Sequence, residues 1–322
     1  MLRFALRRLI YSIPLILGIT FLTFLFIHMA PGDFLSGLRL NPQVSSDTLK
    51  AYSEQFGLDK PLFAQYLAWL GNLLRGDLGY SFAYHAKVLS IIGPRALNTL
   101  LLSLVVIFIT WSAAIPLAVA AAARPNSVLD RVLSLFSYIF IATPVFIWAF
   151  LFLYLSMLTG WLPLGGMRSI NHEALSPAGR LCDLARHLII PALVLALPSI
   201  AALQKIMKAN LLEALTSSYV LGARARGLTP GRVIFIHALK NAANPMITIF
   251  GYQISGLLSG AALTEIITGW PGLGQMTLAA VQAQDIYLVM GTVLAGSFLL
   301  VAGNLAADIL LAANDPRIRY EK

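Results

Sequence analysis

Six apolar runs, each near the length a helix needs to cross a bilayer, constrain this chain more than any other feature. They fall at roughly Leu9 to Met29, Leu97 to Ala122, Val132 to Leu158, His187 to Met207, Pro245 to Ile267 and Leu288 to Ala313, where about 20 apolar residues suffice for one span. In hydrocarbon the backbone must satisfy its own polar groups, so runs of this length become helices. The sequence therefore predicts an all-α membrane protein with six transmembrane helices. With 58% hydrophobic and 11% charged side chains over 322 residues, the chain has too little polar surface to cover a soluble globule.

The formal charge of +9 could suggest a nucleic-acid partner, but its distribution argues otherwise. With the amino terminus inside, alternate loops hold Arg3, Arg7, Arg8, Arg124, Arg131, Lys205, Lys208, Arg224, Arg226, Arg232, Lys240, Arg317, Arg319 and Lys322, which is 14 of the 23 basic residues. Only Asp130, Glu213, Asp315 and Glu321 oppose them there. The remaining 9 basic residues are matched by 9 acidic ones on the other side. This is the positive-inside pattern, with both termini cytoplasmic, and no nucleic-acid partner is expected.

The start, Met1 to Arg8 followed by a long apolar run, reads as a retained first span because the run exceeds a signal-peptide core and shows no small-residue cleavage site. The division of the chain is then an amino-terminal segment with the first span (1–30), an outer segment (31–95) and a five-helix core (96–322). In the outer segment, turn residues stand at Pro31-Gly32, Gly57, Gly71, Gly76 and Gly79. Leu62, Tyr66, Leu70 and Leu73, with Trp69 beside them, mark one helical stripe. The stripe suits a helix lying on the outer membrane surface or one packed on the protein's own outer face. Pro14, Pro116, Pro144 and Pro198 sit inside apolar runs, where each removes a backbone donor and can bend a helix. The single cysteine, Cys182, has no internal partner for a disulfide.

Between the fourth and fifth runs, residues 209–244 form a polar, basic insertion. Arg224 and Arg226 would each cost about 2.5–3.5 kcal/mol at the bilayer centre, against about 0.3–0.6 kcal/mol returned by each Leu or Val, so the stretch lies in water. Helical spacing places Leu215, Tyr219, Ala223 and Gly227 in one series, with Arg224 opposite. Gly227 suits a left-handed cap, Thr229 an N-cap and Pro230 a first helical position. A second helix follows, carrying Val233, Ile236 and Lys240. Ala223, Ala225 and Gly227 are small enough for another surface to approach, and Arg224 and Arg226 can pair with carboxylates on it. The same composition also suits an amphipathic hairpin packed on its own membrane domain.

Tyr219-Val-Leu-Gly-Ala-Arg-Ala-Arg-Gly-Leu, followed by Arg232-Val-Ile-Phe-Ile-His-Ala-Leu-Lys-Asn241 and Pro245, resembles the EAA loop of membrane subunits of ATP-binding-cassette importers of the dipeptide and oligopeptide subgroup. The likeness continues in Leu6-Arg-Arg-Leu-Ile, His28-Met-Ala-Pro-Gly-Asp33, Phe56-Gly-Leu-Asp-Lys-Pro-Leu62, Leu74-Arg-Gly-Asp-Leu-Gly-Tyr-Ser81, Gly269-Trp-Pro-Gly-Leu-Gly274 and Asp315-Pro-Arg-Ile-Arg319. In order and spacing these landmarks are similar to the B-type permease subunit. The resemblance implies the type I importer architecture in a cell inner membrane. It also implies a homologous second permease, two ATP-binding subunits that carry ATP and Mg, and an extracytoplasmic solute-binding protein. Tyr219, Ala223, Arg224, Ala225, Arg226 and Gly227 would then belong to a coupling helix that enters a groove on an ATPase subunit. This chain itself would bind no cofactor and hydrolyse nothing. Leu221 departs from the basic or polar residue common in the family, and Glu213 does not stand where other subgroups carry the loop's glutamate.

The fifth run is rich in small and polar residues. Gln253, Ser255 and Ser259 need polar partners, and Gly256 and Gly260 form a spacing that lets helices approach, so a pathway or subunit interface is expected there, with tight packing within the chain as the alternative. Asn304 and Asp308 share a face of the last run near its inner end, which suits a structural hydrogen-bond role. Histidines are scattered without zinc spacing, and no phosphate-binding Gly-x-x-x-x-Gly-Lys-Ser/Thr motif occurs. The preferred expectation is a peptide importer's permease. An ion-driven secondary transporter, a membrane enzyme, or an importer of glutathione, nickel complexes or sugars are the alternatives.

Overall fold

The computed structural model describes residues 2–30, 45, 47, 50, 59–243, 245, 246, 249, 250, 253, 256 and 261–314. Among the described residues, four helices are long and apolar enough to cross a membrane, through Leu6–Met29, Val88–Ala123, Pro177–Thr216 and Ile286–Ala306. They coincide with the first, second, fourth and sixth apolar runs. The third run is not one helix. Thr143 turns extended and Pro144 restarts the chain, so Val128–Ala142 and Val145–Thr159 meet at 105°. Counting that pair as one bent span gives five. Pro14, Pro116 and Pro198, by contrast, stay inside continuous helices. Much of the fifth run lies outside the described residues.

In chain order the elements are α1 (Leu2–Met29), α2 (Leu62–Leu73), a hairpin of β1 (Tyr80–Ser81) and β2 (Ala86–Lys87), α3 (Val88–Ala123), α4 (Val128–Ala142), α5 (Val145–Thr159), α6 (Pro177–Thr216) and α7 (Ser218–Ala225). Next comes α8, which joins Pro230–Arg232, a π-helical stretch Val233–Ala238 and Leu239–Ala242. Then follow α9 (Ala262–Thr268), α10 (Leu273–Gln282) and α11 (Ile286–Asn314). The chain divides into two compact units. One comprises Leu100–Trp270 with Ala302–Lys322, the other Leu2–Thr99 with Pro271–Val301.

In the second of these units, α2 forms where its stripe was expected, and Leu62, Tyr66, Trp69, Leu70 and Leu73 join Phe21, Phe24 and Ile27 of α1. Gly71, expected as a turn, lies inside this helix. Gly76 and Gly79 do turn, with φ of +80° and +91°. The turns expected at Pro31-Gly32 and Gly57 lie outside the described residues. Asp285 is fully buried. Its carboxylate accepts from Ser81 Oγ at 2.6 Å, from the Ala83 amide at 3.0 Å and from the Leu288 amide at 3.1 Å. It therefore caps the start of α11 and holds the hairpin across 204 residues of sequence. Thr99 Oγ1 likewise accepts from the Leu273 amide at the start of α10, while Asn98 donates to Pro271 O.

In the first unit, α6 is the central member. Its 40 residues span about 60 Å, twice the hydrocarbon thickness. Ala114, Ala118 and Ala122 of α3 stand four residues apart and are buried in a core with Leu195, Leu203, Met207 and Leu211 of α6. Hydrophobic burial gives little drive between helices in lipid, so small side chains that permit close approach matter here.

Asp285→Ala removes a cap and strands two donors of the hairpin. It is expected to destabilise the protein by about 2–4 kcal/mol, read as a lower melting temperature in detergent, whereas Asp77→Ala, which removes one exposed turn bond to Gly79, changes it little.

Candidate functional site

The arginine-bearing insertion begins where α6 stops. Ser217 is extended (φ −69°, ψ 152°), its backbone carbonyl accepts from the amides of Val220 and Leu221, and α7 starts in a new helical phase. Consequently Leu215 and Ala223 do not belong to one continuous series with Tyr219. Leu215 ends in the α6 core, Tyr219 is 42% exposed, and Val220 and Ala223 turn inward and are completely buried. The close approach expected through Ala223 therefore falls to Gly222, Ala225 and Gly227, all exposed. Arg224 and Arg226 are exposed beside them.

The bend follows the expected chemistry. Gly227 adopts φ +78°, its amide donates to Arg224 O at 2.9 Å, and nothing lies within 4 Å of the place a Cβ would occupy. Pro230 is the first helical residue of α8, and the Thr229 carbonyl accepts from the Val233 amide at 3.0 Å; the Thr229 hydroxyl makes no cap bond. The π-helical turn of α8 was not foreseen. It spaces the buried residues as Val233, Ala238 and Ala242, five and then four apart, which aims all three at the core shared with Val220, Ala223 and Leu211. Ile236 consequently faces outward with Phe235, and Lys240 is exposed. Where water is the alternative, burying Val220 and Val233 contributes about 1.5–3 kcal/mol each, which holds α7 and α8 to the end of α6.

A polar seam braces α6 just ahead of this insertion. Lys208 donates to the buried carboxylate of Asp130 at the start of α4. The other Asp130 oxygen accepts from the Asn126 amide at 2.9 Å, and Ser127 caps the helix by accepting from the Asp130 amide. One turn along α6, Gln204 accepts from Ser137 of α4 at 3.2 Å, and the Lys205 ammonium lies over the Tyr138 ring. None of these pairings was read from the sequence.

The other expected residues separate. Gln253 accepts from the indole N–H of Trp111 at 2.7 Å, with Phe250 edge-on to the same ring. Gly256 is exposed with open space beside it. Ser255, Ser259 and Gly260 lie outside the described residues. Asn304 is exposed and Asp308 half-buried on α11. Glu265, which the sequence reading did not single out, is completely buried on α9; an acid closing an apolar run was the signal for it. Among the described residues no three His, Cys, Asp or Glu side chains gather as a metal site.

Comparison with known proteins adds the following. Residues 114–320 match the family model for the binding-protein-dependent transport system inner membrane component, and residues 1–105 match the model for the amino-terminal part of such membrane components. The chain is 39% identical to the oligopeptide transport system permease protein AppB of Bacillus subtilis, covering 98% of this chain and 99% of that protein. It is 35% identical to the di/tripeptide transport system permease protein DppB of Pseudomonas aeruginosa and to the dipeptide transport system permease protein DppB of Escherichia coli, each over the whole of both chains.

Lys208→Met leaves the buried Asp130 carboxylate without its countercharge, held only by hydrogen bonds such as that from Asn126, and is expected to cost about 3–5 kcal/mol of stability. Combining it with Asp130→Asn is expected to recover part of that loss, as measured by thermal unfolding in detergent. Gly227→Ala is expected to cost about 1–2 kcal/mol, because a Cβ disfavours φ +78° even where space is open.

Proposed function

We propose, for a chain that belongs to the family of binding-protein-dependent transport system inner membrane components, that it is the membrane-spanning subunit of an ATP-binding-cassette importer of di- and oligopeptides. The observation that carries this reading is end-to-end similarity to permeases whose names specify oligopeptide, di/tripeptide and dipeptide transport. The bias of Lys and Arg toward alternate loops supports an inner-membrane topology with both termini and the α7–α8 insertion in the cytoplasm. A homologous second permease would complete the pathway. An extracytoplasmic binding protein would deliver the peptide, and two ATP-binding subunits would hold ATP and Mg, since this sequence has no phosphate-binding loop.

Mechanically, α7 is the element that enters the ATPase subunit. Gly222, Ala225 and Gly227 allow the partner's backbone close, while Arg224 and Arg226 pair with its carboxylates. When ATP draws the two ATPase subunits together, the displacement of α7 passes through Val220 and Ala223 into the core shared with Leu211 and Leu215 of α6. Because that core is close-packed and resists gradual deformation, α6 moves with α7 as a body. The polar seam at Asp130 and Lys208 carries α4 with it. The spans then exchange between outward- and inward-open packings.

Ala225→Trp, on the exposed side of α7, and Gly227→Trp at the bend are expected to abolish copurification with the ATPase subunits and ATP-driven peptide uptake, while membrane insertion is retained. Normal copurification and transport by both variants would refute the docking assignment.

A further inference from the structure

Two apolar stripes run side by side along α2. The first, Leu62, Tyr66, Trp69 and Leu73, is packed on α1 and on Ile286 and Met290 of α11. About a third of a turn away, Phe63, Leu67 and Leu74 make a second stripe at spacings of four and seven, and these side chains are 61%, 49% and 84% exposed. Leu74 keeps the helical phase, with φ −63° and ψ −19°. The remaining side presents Ala64, Ala68, Gly71 and Asn72, all small or polar and exposed.

The depth of α2 is fixed by its bonds to α1. Gln65 Oε1 meets His28 Nε2 at 3.2 Å, one residue from the end of α1 at Met29. The next residue, Tyr66, points along α1 toward its middle, where the phenol donates to Leu17 O at 3.2 Å and lies 3.0 Å from Thr20 Oγ1. Thr20 is nine residues from Met29, about 13–14 Å along the helix. The apolar run of α1 that must occupy hydrocarbon extends to Met29, so α2 crosses α1 at the boundary between headgroups and acyl chains. It cannot stand clear of the bilayer while Tyr66 keeps these bonds. The stripe next to Tyr66 then borders the acyl region, and the Ala64 to Asn72 side borders water.

We infer that α2 is an amphipathic helix seated in the membrane interface, with Phe63, Leu67 and Leu74 inserted among the lipid acyl chains of the leaflet at the Met29 end of α1. Lipid suits the stripe because it is wholly apolar, carries no polar anchor for a protein partner, and lies beside the Met29 end of an apolar span, where an interfacial helix buries its apolar face by about 5–10 Å. The inference stands on the membrane reading alone and is independent of which solute is carried.

Single cysteines at positions 63, 67 and 74, and for contrast at 64 and 72, are introduced in a Cys182→Ala background, because Cys182 is an exposed thiol. Each is labelled with a small fluorophore in the assembled transporter reconstituted into phosphatidylcholine vesicles. Nitroxide placed on the acyl chains is expected to quench labels at 63, 67 and 74 severalfold more than those at 64 and 72, with aqueous iodide showing the reverse order. Iodide quenching at 63, 67 and 74 equal to that at 64 and 72 would overturn the inference. Protection of those three positions from both quenchers would also overturn it, since a protein surface would then cover the stripe. All five positions are exposed, so labelling leaves the α1 packing in place, and retained melting temperature checks this for each variant.

Discussion

The cost of moving an arginine out of water governs this structure. The charges of Arg224 and Arg226 disfavour placing α7 and its bend in hydrocarbon, although Val220, Ala223 and Val233 beside them are apolar and buried. The insertion resolves the conflict by turning those side chains onto the end of α6 and leaving the charges outward. A segment with this division is attached firmly on one side and open on the other. That division is the basis of the docking role proposed for it.

Inside lipid a different rule operates, since apolar contact alone distinguishes weakly between one helix neighbour and another. The chain answers with sparse polar anchors at helix ends. Asp285 joins the hairpin to the start of α11, Thr99 receives the first amide of α10, and Asp130 binds Lys208 while capping its own helix. Each anchor sits where a helix end already has unsatisfied groups, so one side chain both caps and cross-links. Replacing lipid-facing leucines would disturb such a bundle far less than removing one of these carboxylates.

Local features were legible in the sequence because their causes are local. Runs of apolar residues marked the four continuous spans, the glycine at 227 took the left-handed bend, and Pro230 opened a helix. The stripe through Tyr66 formed a helix, though its packing on α1 required knowing what lay beside it. What stayed hidden depends on phase or on distance. The break at Ser217 rotated α7 and turned Ala223 inward, and the π-helical turn in α8 inserted one extra residue into the spacing of its buried face. Lys208 meets Asp130 across 78 residues and Ser81 meets Asp285 across 204, pairings that no periodicity reveals. Pro144 split a run that hydropathy read as one span.

The central claim is that an arginine-bearing bend, held to α6 by a small apolar core, receives mechanical work from a separate ATP-hydrolysing subunit. Its most direct test is a photoreactive amino acid placed at Gly222 within the assembled transporter, with irradiation followed by identification of the joined chain. The account predicts an adduct to an ATP-binding subunit whose yield changes when ATP is trapped against hydrolysis. An adduct only to the second permease, or to a protein on the opposite side of the membrane, would contradict it.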